Sequence, residues 1–338
     1  MVSAQRLLEL VDRLPSAPVA LVGDLVLDRF ILGSPKRISR EAPVIILRHE
    51  GQRDVPGGGA NALANLAALE VPTLPVAVVG DDEPGRALCG VLEERGLDLA
   101  HVVVVGGYRT PTKVRILGGG PSSLKHQVAR YDIEDRLPPG GPWVAEFERQ
   151  LGRALDGVGV VAISDYGYGT VGPDTVARIR DRVGPATSIC ADSRYQLSRY
   201  RGLTGATPNL EELEACAGRP LQSDDEVAAA AEQLRRRLGA RFLLATRGNR
   251  GMSLVEDGAP PHHIAVHGGD EVADVTGAGD TVLAVLSAAL AAGASPREAA
   301  HLANYAGGLV VMKLGTATVS RDELRAAIRG QDVTGGGG

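Results

Sequence analysis

Five short apolar runs, Val19 to Val22, Val76 to Val79, Val158 to Ile163, Ser188 to Ala191 and Phe242 to Thr246, recur along the chain. Turn residues bound each run, and stretches of helical periodicity separate them. Runs this short and this apolar have no polar face to turn to water, so each must be covered on both sides. Strands that alternate with helices meet that demand as a parallel sheet between two helical layers. The expected fold class is therefore α/β, a doubly wound, mostly parallel sheet flanked by helices. A chain of 338 residues, 44% of them hydrophobic, can bury such a core as one large domain.

Two segments have a different texture. Residues 30–55 and 102–131 carry β-type runs, Val44-Ile45-Ile46-Leu47 and Thr112-Lys113-Val114-Arg115-Ile116-Leu117, with several charges, a Gly118-Gly119-Gly120 turn and no helical period. They read as accessory β-structure set into the alternation. No solenoid-length repeat is present. Residues 1–330 thus read as one domain, and residues 331–338, ending in Gly335 to Gly338, as a flexible tail.

Charge and cysteine usage narrow the function classes. The net charge is -5 and the 36 basic residues are scattered, which argues against a nucleic-acid surface. Cys89, Cys190 and Cys216 lack CxxC spacing and sit in apolar or helical contexts, as packing residues in a reducing compartment do. Residues 1–16 are amphipathic and charged, without a continuous apolar core, and no later window reaches a membrane-spanning length. The expectation is a cytoplasmic protein with small-molecule partners, without nucleic acid or membrane.

The chemistry is concentrated at two glycine-bearing helix starts. Asp274-Val275-Thr276-Gly277-Ala278-Gly279-Asp280-Thr281 runs into the alanine-rich stretch Val282 to Ala292. Glycines let backbone approach an anion, and the free N–H groups and positive dipole end of a helix stabilise negative charge. Asp280 in the same turn is ill placed to bind phosphate but well placed to take a proton from an attacking hydroxyl. An aspartate at a helix start also serves simply as a cap. The second segment, Pro56-Gly57-Gly58-Gly59-Ala60-Asn61, opens a run in which Leu63, Leu66, Ala67 and Val71 recur at helical spacing. An anion turn containing a base points to phosphoryl transfer, with Gly277, Ala278 and Gly279 supplying N–H donors and Asp280 the base.

Together, in this order and at a separation of more than two hundred residues, the two segments resemble the signature regions of the PfkB (ribokinase-like) carbohydrate kinase family. The resemblance runs from about Val19 to Arg329. It is most specific in Val22-Gly23-Asp24-Leu25-Val26-Leu27-Asp28-Arg29, Arg37-Ile38-Ser39-Arg40-Glu41-Ala42-Pro43-Val44, Ser164-Asp165-Tyr166 and Thr207-Pro208-Asn209-Leu210-Glu211-Glu212. These strings resemble the branch acting on D-glycero-β-D-manno-heptose 7-phosphate. The resemblance implies a ribokinase-like fold in which residues 30–55 and 102–131 form a β-sheet lid over the sugar, pairing with a second copy as a homodimer. It implies an ATP- and magnesium-dependent transfer to the anomeric hydroxyl of the heptose phosphate, on the way to ADP-heptose.

The resemblance also assigns roles. Asp24, placed at the carboxyl end of the first strand where open α/β sheets bind ligands, would accept sugar hydroxyls together with Gly58 and Asn61. Asp28 is open between that task and an ordinary loop carboxylate. Arg37, Lys113, Arg115 and Arg130 would meet the sugar's terminal phosphate, although charges on thin β-structure are also ordinary solvated edges. Asn209 and Glu212 match an Asn-x-x-Glu motif that organises magnesium and phosphate, Glu212 through water; the competing reading is a helix start after Pro208. Thr246, Gly248 and Gly251 would border ATP, with Asn304 beside adenine. Asp274 and Thr276, with the loop around Gly315-Thr316-Ala317, would border a potassium site. Two departures bear on substrate: Tyr168 stands where the heptose enzymes carry Lys, and Ser193-Arg194 replaces Pro-Lys. No His-x-Gly-His motif follows, so a separate nucleotidyltransferase is expected downstream. The alternatives are a PfkB kinase for another sugar, or a silent sugar-binding protein on the same fold.

Overall fold

The structure, a computed structural model, describes residues 2–120, 125–268, 273–313 and 315–330. The tail 331–338 expected to be flexible lies outside the described residues. The main sheet has six parallel strands, β1 (Val19–Gly23), β4 (Thr73–Gly80), β5 (Val102–Val105), β8 (Val160–Asp165), β9 (Ser188–Ser193) and β10 (Gly205–Ala206), in the order β10-β9-β8-β1-β4-β5. Successive residues of β1 point to opposite faces, and both faces are buried. Val19 and Leu21 pack with Leu63, Leu66, Leu283 and Leu286, whereas Ala20 and Val22 pack with Phe147, Leu151, Val176 and Ile179. The apolar runs of the sequence are uninterrupted because neither side of the sheet meets water.

Two sheets lie outside this one. β11 (Phe242–Thr246), β12 (Met252–Glu256) and β13 (His262–Ile264) form an antiparallel three-stranded sheet. Phe242–Thr246 is therefore a buried strand, as its composition requires, but not a member of the main sheet; backbone bonds from Phe242 to Thr204 and from Thr246 to Pro208, with a parallel bridge between Asn209 and Thr246, tie it to the chain on either side of β10. β2 (Leu25–Ile38), β3 (Ile45–Gly58), β6 (Thr112–Gly118) and β7 (His126–Ile133) form a four-stranded sheet in the order β3-β2-β6-β7. Its boundaries correct the expected 30–55 and 102–131. β2 and β3 extend back to the core at Leu25 and Gly58, and Val102–Val105 is the edge strand of the main sheet. Four consecutive valines satisfy a half-buried edge as readily as a lid.

The helices Gly59–Ala68 and Ala278–Ala291 pack against each other on one face of the main sheet, with their N-termini at the same end. Gly58 caps the first of them at φ +55°, where a side chain would press on Val26 and Tyr166, so the turn into this helix demands glycine. Among the described residues no helix is long and apolar enough to cross a membrane. Cys190 is buried, and Cys89 and Cys216 are partly buried; all three are free thiols.

Candidate active site

Asp280 occupies the first turn of Ala278–Ala291 and is only 4% exposed. Its Oδ2 accepts from Asn61 Nδ2 at 3.2 Å, and its Oδ1 accepts from the Tyr166 hydroxyl at 2.8 Å. Burial pushes its carboxyl up to about 7; the two hydrogen bonds and Lys113 work against that push, and Asp28 adds to it. A carboxyl poised there changes hands with protons near neutrality, as a general base should. Asn61 Nδ2 also donates to the Gly277 carbonyl at 3.2 Å, so one amide holds both the turn and the carboxylate. Gly277 has φ +81°, and a Cβ on it would stand 2.4 Å from that Nδ2.

Two cavities meet at this turn. The first, ≈ 390 Å³, lies between the β11–β13 sheet and the helix Pro296–Val311, lined by Thr246, Gly248, Gly251, Val282, Asn304 and Gly279 among others. The second, ≈ 600 Å³, holds Asp280, Gly277, Gly279, Tyr166, Asp192, Arg194, Asn209 and Glu212. Both include Val275 and Gly279, and both are of the size that small ligands fill. Asn304 sits in the first cavity with its amide donating to the Ala265 carbonyl at 2.9 Å, which leaves its oxygen for a ligand.

Several expected ligands have other tasks. Asp24 is 2% exposed, and its oxygens accept from the backbone N–H groups of Tyr166, Tyr168 and Thr170 at 2.9, 3.0 and 3.1 Å. Burial, then the neighbouring Asp165, push its carboxyl up to about 6. It gathers the 166–170 loop with three of the roughly four acceptor directions that a carboxylate offers. Asn61 likewise spends its amide on the turn. Asn209 and Glu212 form the capping box of the helix Leu210–Ala217: Asn209 Oδ1 accepts from the Glu212 N–H at 2.9 Å, and Glu212 Oε2 from the Asn209 N–H at 3.0 Å.

Glu212 nevertheless faces the second cavity opposite Asp192, a residue the sequence reading passed over although it follows a strand end. Burial pushes both carboxyls up, and Glu212 adds to the push on Asp192. Two half-buried carboxylates on one cavity wall, one raised by the other, suit a divalent cation, which would relieve the repulsion. The Asp274 oxygens accept from the N–H groups of Thr276 at 2.9 Å and Gly315 at 3.1 Å. Next to them Thr316 Oγ1 is buried without a hydrogen-bond partner, an orphan oxygen that suits a monovalent cation.

The lid cations divide. Arg115 donates to Asp28 Oδ1 at 2.6 Å and lies over the Phe30 ring, and Arg130 donates to both Asp132 oxygens at 2.8 and 2.6 Å. Arg37 is exposed near the far end of β2. Lys113 lies 5.4 Å above the Tyr166 ring with no hydrogen-bond acceptor among the described residues, and burial pulls its ammonium down. Cross-strand register sets Arg53, Phe30, Arg115 and Arg130 in one row across all four strands; Arg53 had no signal in the sequence beyond its charge. Of the two departures, Tyr168 turns its hydroxyl to Glu134 at 2.9 Å, while Ser193 donates to Asp165 at 2.5 Å and leaves Arg194 open to the cleft.

A doubly wound sheet with a side sheet, an anion turn and a held carboxylate between two cavities defines a phosphotransferase of small molecules. The model described as pfkB family carbohydrate kinase matches residues 176–323. The bifunctional protein HldE of Paramagnetospirillum magneticum is 39% identical over 99% of this chain and 68% of its own length. That of Nitrosococcus oceani is 41% identical over 95% and 66%. The chain belongs to the pfkB family of carbohydrate kinases and is a sugar kinase, similar to the bifunctional HldE proteins, of whose length it spans about two thirds. Among solved structures, phosphofructokinase-2 from Escherichia coli superposes with TM-score 0.74 over 93% of this chain and 98% of that one, at 19% identity. Arabidopsis thaliana ribokinase with ribose and ATP gives 0.71 over 93% and 99%, also at 19%. Both share the fold. Membership implies ATP as phosphoryl donor and a divalent metal ion.

Proposed function

We propose that this chain transfers the γ-phosphate of ATP to the anomeric hydroxyl of D-glycero-β-D-manno-heptose 7-phosphate, yielding the 1,7-bisphosphate in the cytoplasm. The observation that carries the chemistry is Asp280, held by Asn61 and Tyr166 where the two cavities join. The hydroxyl oxygen bonds to the γ-phosphorus as its proton passes to Asp280, and the bond to the bridging oxygen breaks with its electron pair leaving on ADP. The N–H groups of the 277–279 turn and Arg194 stabilise the charge on the transferring group. Magnesium fits the Asp192 and Glu212 carboxylates, and potassium the Asp274 and Thr316 oxygens. These ions would supply charge neutralisation beside the phosphates and the turn.

The heptose assignment rests on the Arg37-to-Val44 string and on similarity to the HldE proteins. The sugar's terminal phosphate would meet Lys113, which faces the site from the lid without a hydrogen-bond acceptor among the described residues. A second reading, a sugar acceptor without a terminal phosphate, is favoured by the engagement of Arg115 with Asp28 and Arg130 with Asp132. A homodimer through the lid is supported by exposed apolar side chains on that sheet and its β2–β3 turn: Ile38, Val44, Ile45, Val128 and Tyr131.

A panel of seven-, six- and five-carbon sugars, each with and without a terminal phosphate, tests this with ATP and magnesium. ADP release with the heptose 7-phosphate, and a bisphosphate by phosphorus NMR that extra ATP does not carry to an ADP-sugar, is the expected result. Phosphorylation of fructose 6-phosphate or ribose with none of the heptose would move the chain to another sugar. No ADP release with any sugar would leave it a silent binder.

A further inference from the structure

Tyr166 follows β8 in a motif to which phosphoryl transfer gives no evident task. Its hydroxyl holds Asp280 Oδ1 at 2.8 Å while Asn61 holds Oδ2 at 3.2 Å, so each oxygen of the carboxylate is gripped from a different element. The residue is held at its backbone and covered over one ring face. Its backbone N–H donates to Asp24 at 2.9 Å, its Cε2 lies 3.2 Å from where a side chain on Gly58 would begin, and Lys113 covers its face. Aligning one hydroxyl thus occupies a buried aspartate, a left-handed glycine and a lid lysine.

We infer that Tyr166 is the positioning residue of the base: it sets the plane of the Asp280 carboxylate and hence which lone pair meets the acceptor hydroxyl. This rests on Asp280 being the base. An ionised carboxylate has about four acceptor directions, and two fixed donors leave the others aimed by default. A donated hydrogen bond also favours the ionised, proton-accepting form over the protonated one. The charged groups that bear on Asp280 and Tyr166 from the surrounding elements are Asp28 of β2, Lys113 of β6 and Asp192 of β9, with Arg194 and Glu212 lining the same cavity. None of them touches Oδ1, so deleting the Tyr166 hydroxyl leaves that oxygen without a donor.

Tyr166→Phe keeps the ring that packs against Gly58 and Lys113 and removes the hydroxyl alone. With magnesium, ATP and whichever panel sugar releases ADP, kcat is expected to fall roughly ten- to a hundredfold, the worth of one hydrogen bond to a charged group, with KM for both substrates little changed. The acidic limb of the kcat/KM profile moves to higher pH. Replacing Tyr166 by a ring-fluorinated tyrosine, a stronger donor of the same shape, moves that limb to lower pH and covers the case in which Tyr166→Phe folds poorly. Opposite displacements support the assignment, because a purely structural ring would produce neither. A limb that stays in place in both variants, whatever happens to kcat, overturns it. Asp280→Asn measured in parallel separates the two failures. If it turns over normally, the base assignment falls and this inference with it; if it is inert while the Tyr166 variants are silent, only this inference falls.

Discussion

Asp280→Asn is expected to make the protein more stable and nearly inactive at once. The carboxyl is 4% exposed and its pKa is raised from 3.8 to about 7, chiefly by burial, so the ionised form is disfavoured inside the fold. The sign follows from proton uptake: between pH 3.8 and 7 the folded state binds the proton that the unfolded chain has released, so stability falls as pH rises through that window. Over the full interval, at about 1.36 kcal/mol per pH unit, the charge costs on the order of 4 kcal/mol above pH 7. Asparagine has the same shape and avoids that cost. Its oxygen can accept from Asn61 and its amide can donate to the Tyr166 oxygen. Urea unfolding at pH 8 should therefore show Asp280→Asn more stable by up to about 4 kcal/mol, with the gain shrinking toward zero near pH 4. Under the same conditions kcat should drop by about two to four orders of magnitude, the worth of a positioned base, while nucleotide and sugar still bind. A variant less stable than the parent at pH 8, or a gain that does not change with pH, would refute the burial argument. Turnover within about threefold of the parent would refute the base.

Four other outcomes are expected. Lys113→Met should weaken a phosphorylated sugar far more than its unphosphorylated analogue, by roughly 1.5 to 3 kcal/mol in calorimetry. Arg115→Met should instead strip the partner from buried Asp28 and lower stability by about 3 to 5 kcal/mol, hurting both sugars alike; the reverse pattern would exchange their roles. Gly277→Ala puts a Cβ against the Asn61 amide at a left-handed φ and should cut kcat on the order of a hundredfold, the effect of a displacement near 1 Å; a fully active variant would show that the turn can move freely. Ile38→Glu and Val128→Glu should convert a lid dimer to monomers in light scattering, and a parent protein that already runs as one chain would remove the dimer.

What the sequence by itself determined is local. Apolar runs without a polar face required a doubly covered sheet, and the glycine turns at Gly58 and Gly277 marked the two helix starts that meet at the site. Asp280 could be singled out because turn, carboxylate and helix are adjacent in the chain. Tertiary structure decided whatever depends on distant partners. Arg115 reads from the sequence as one of several free lid cations, and only the register of β2 and β6 shows that it sits beside Asp28, 87 residues away. Asp24 reads as a sugar ligand from its place after the first strand, and only the fold shows that the loop after a neighbouring strand brings it three N–H groups from residues 142 to 146 positions on. Tyr166 lies 114 residues from the carboxylate it holds, and Asp192 faces Glu212 only because β9 ends beside that helix. Periodicity and turn chemistry report on neighbours within a few residues. The order of strands, and with it the partner of each buried charge, is set by how the crossovers pack the whole core, which no window of the sequence contains.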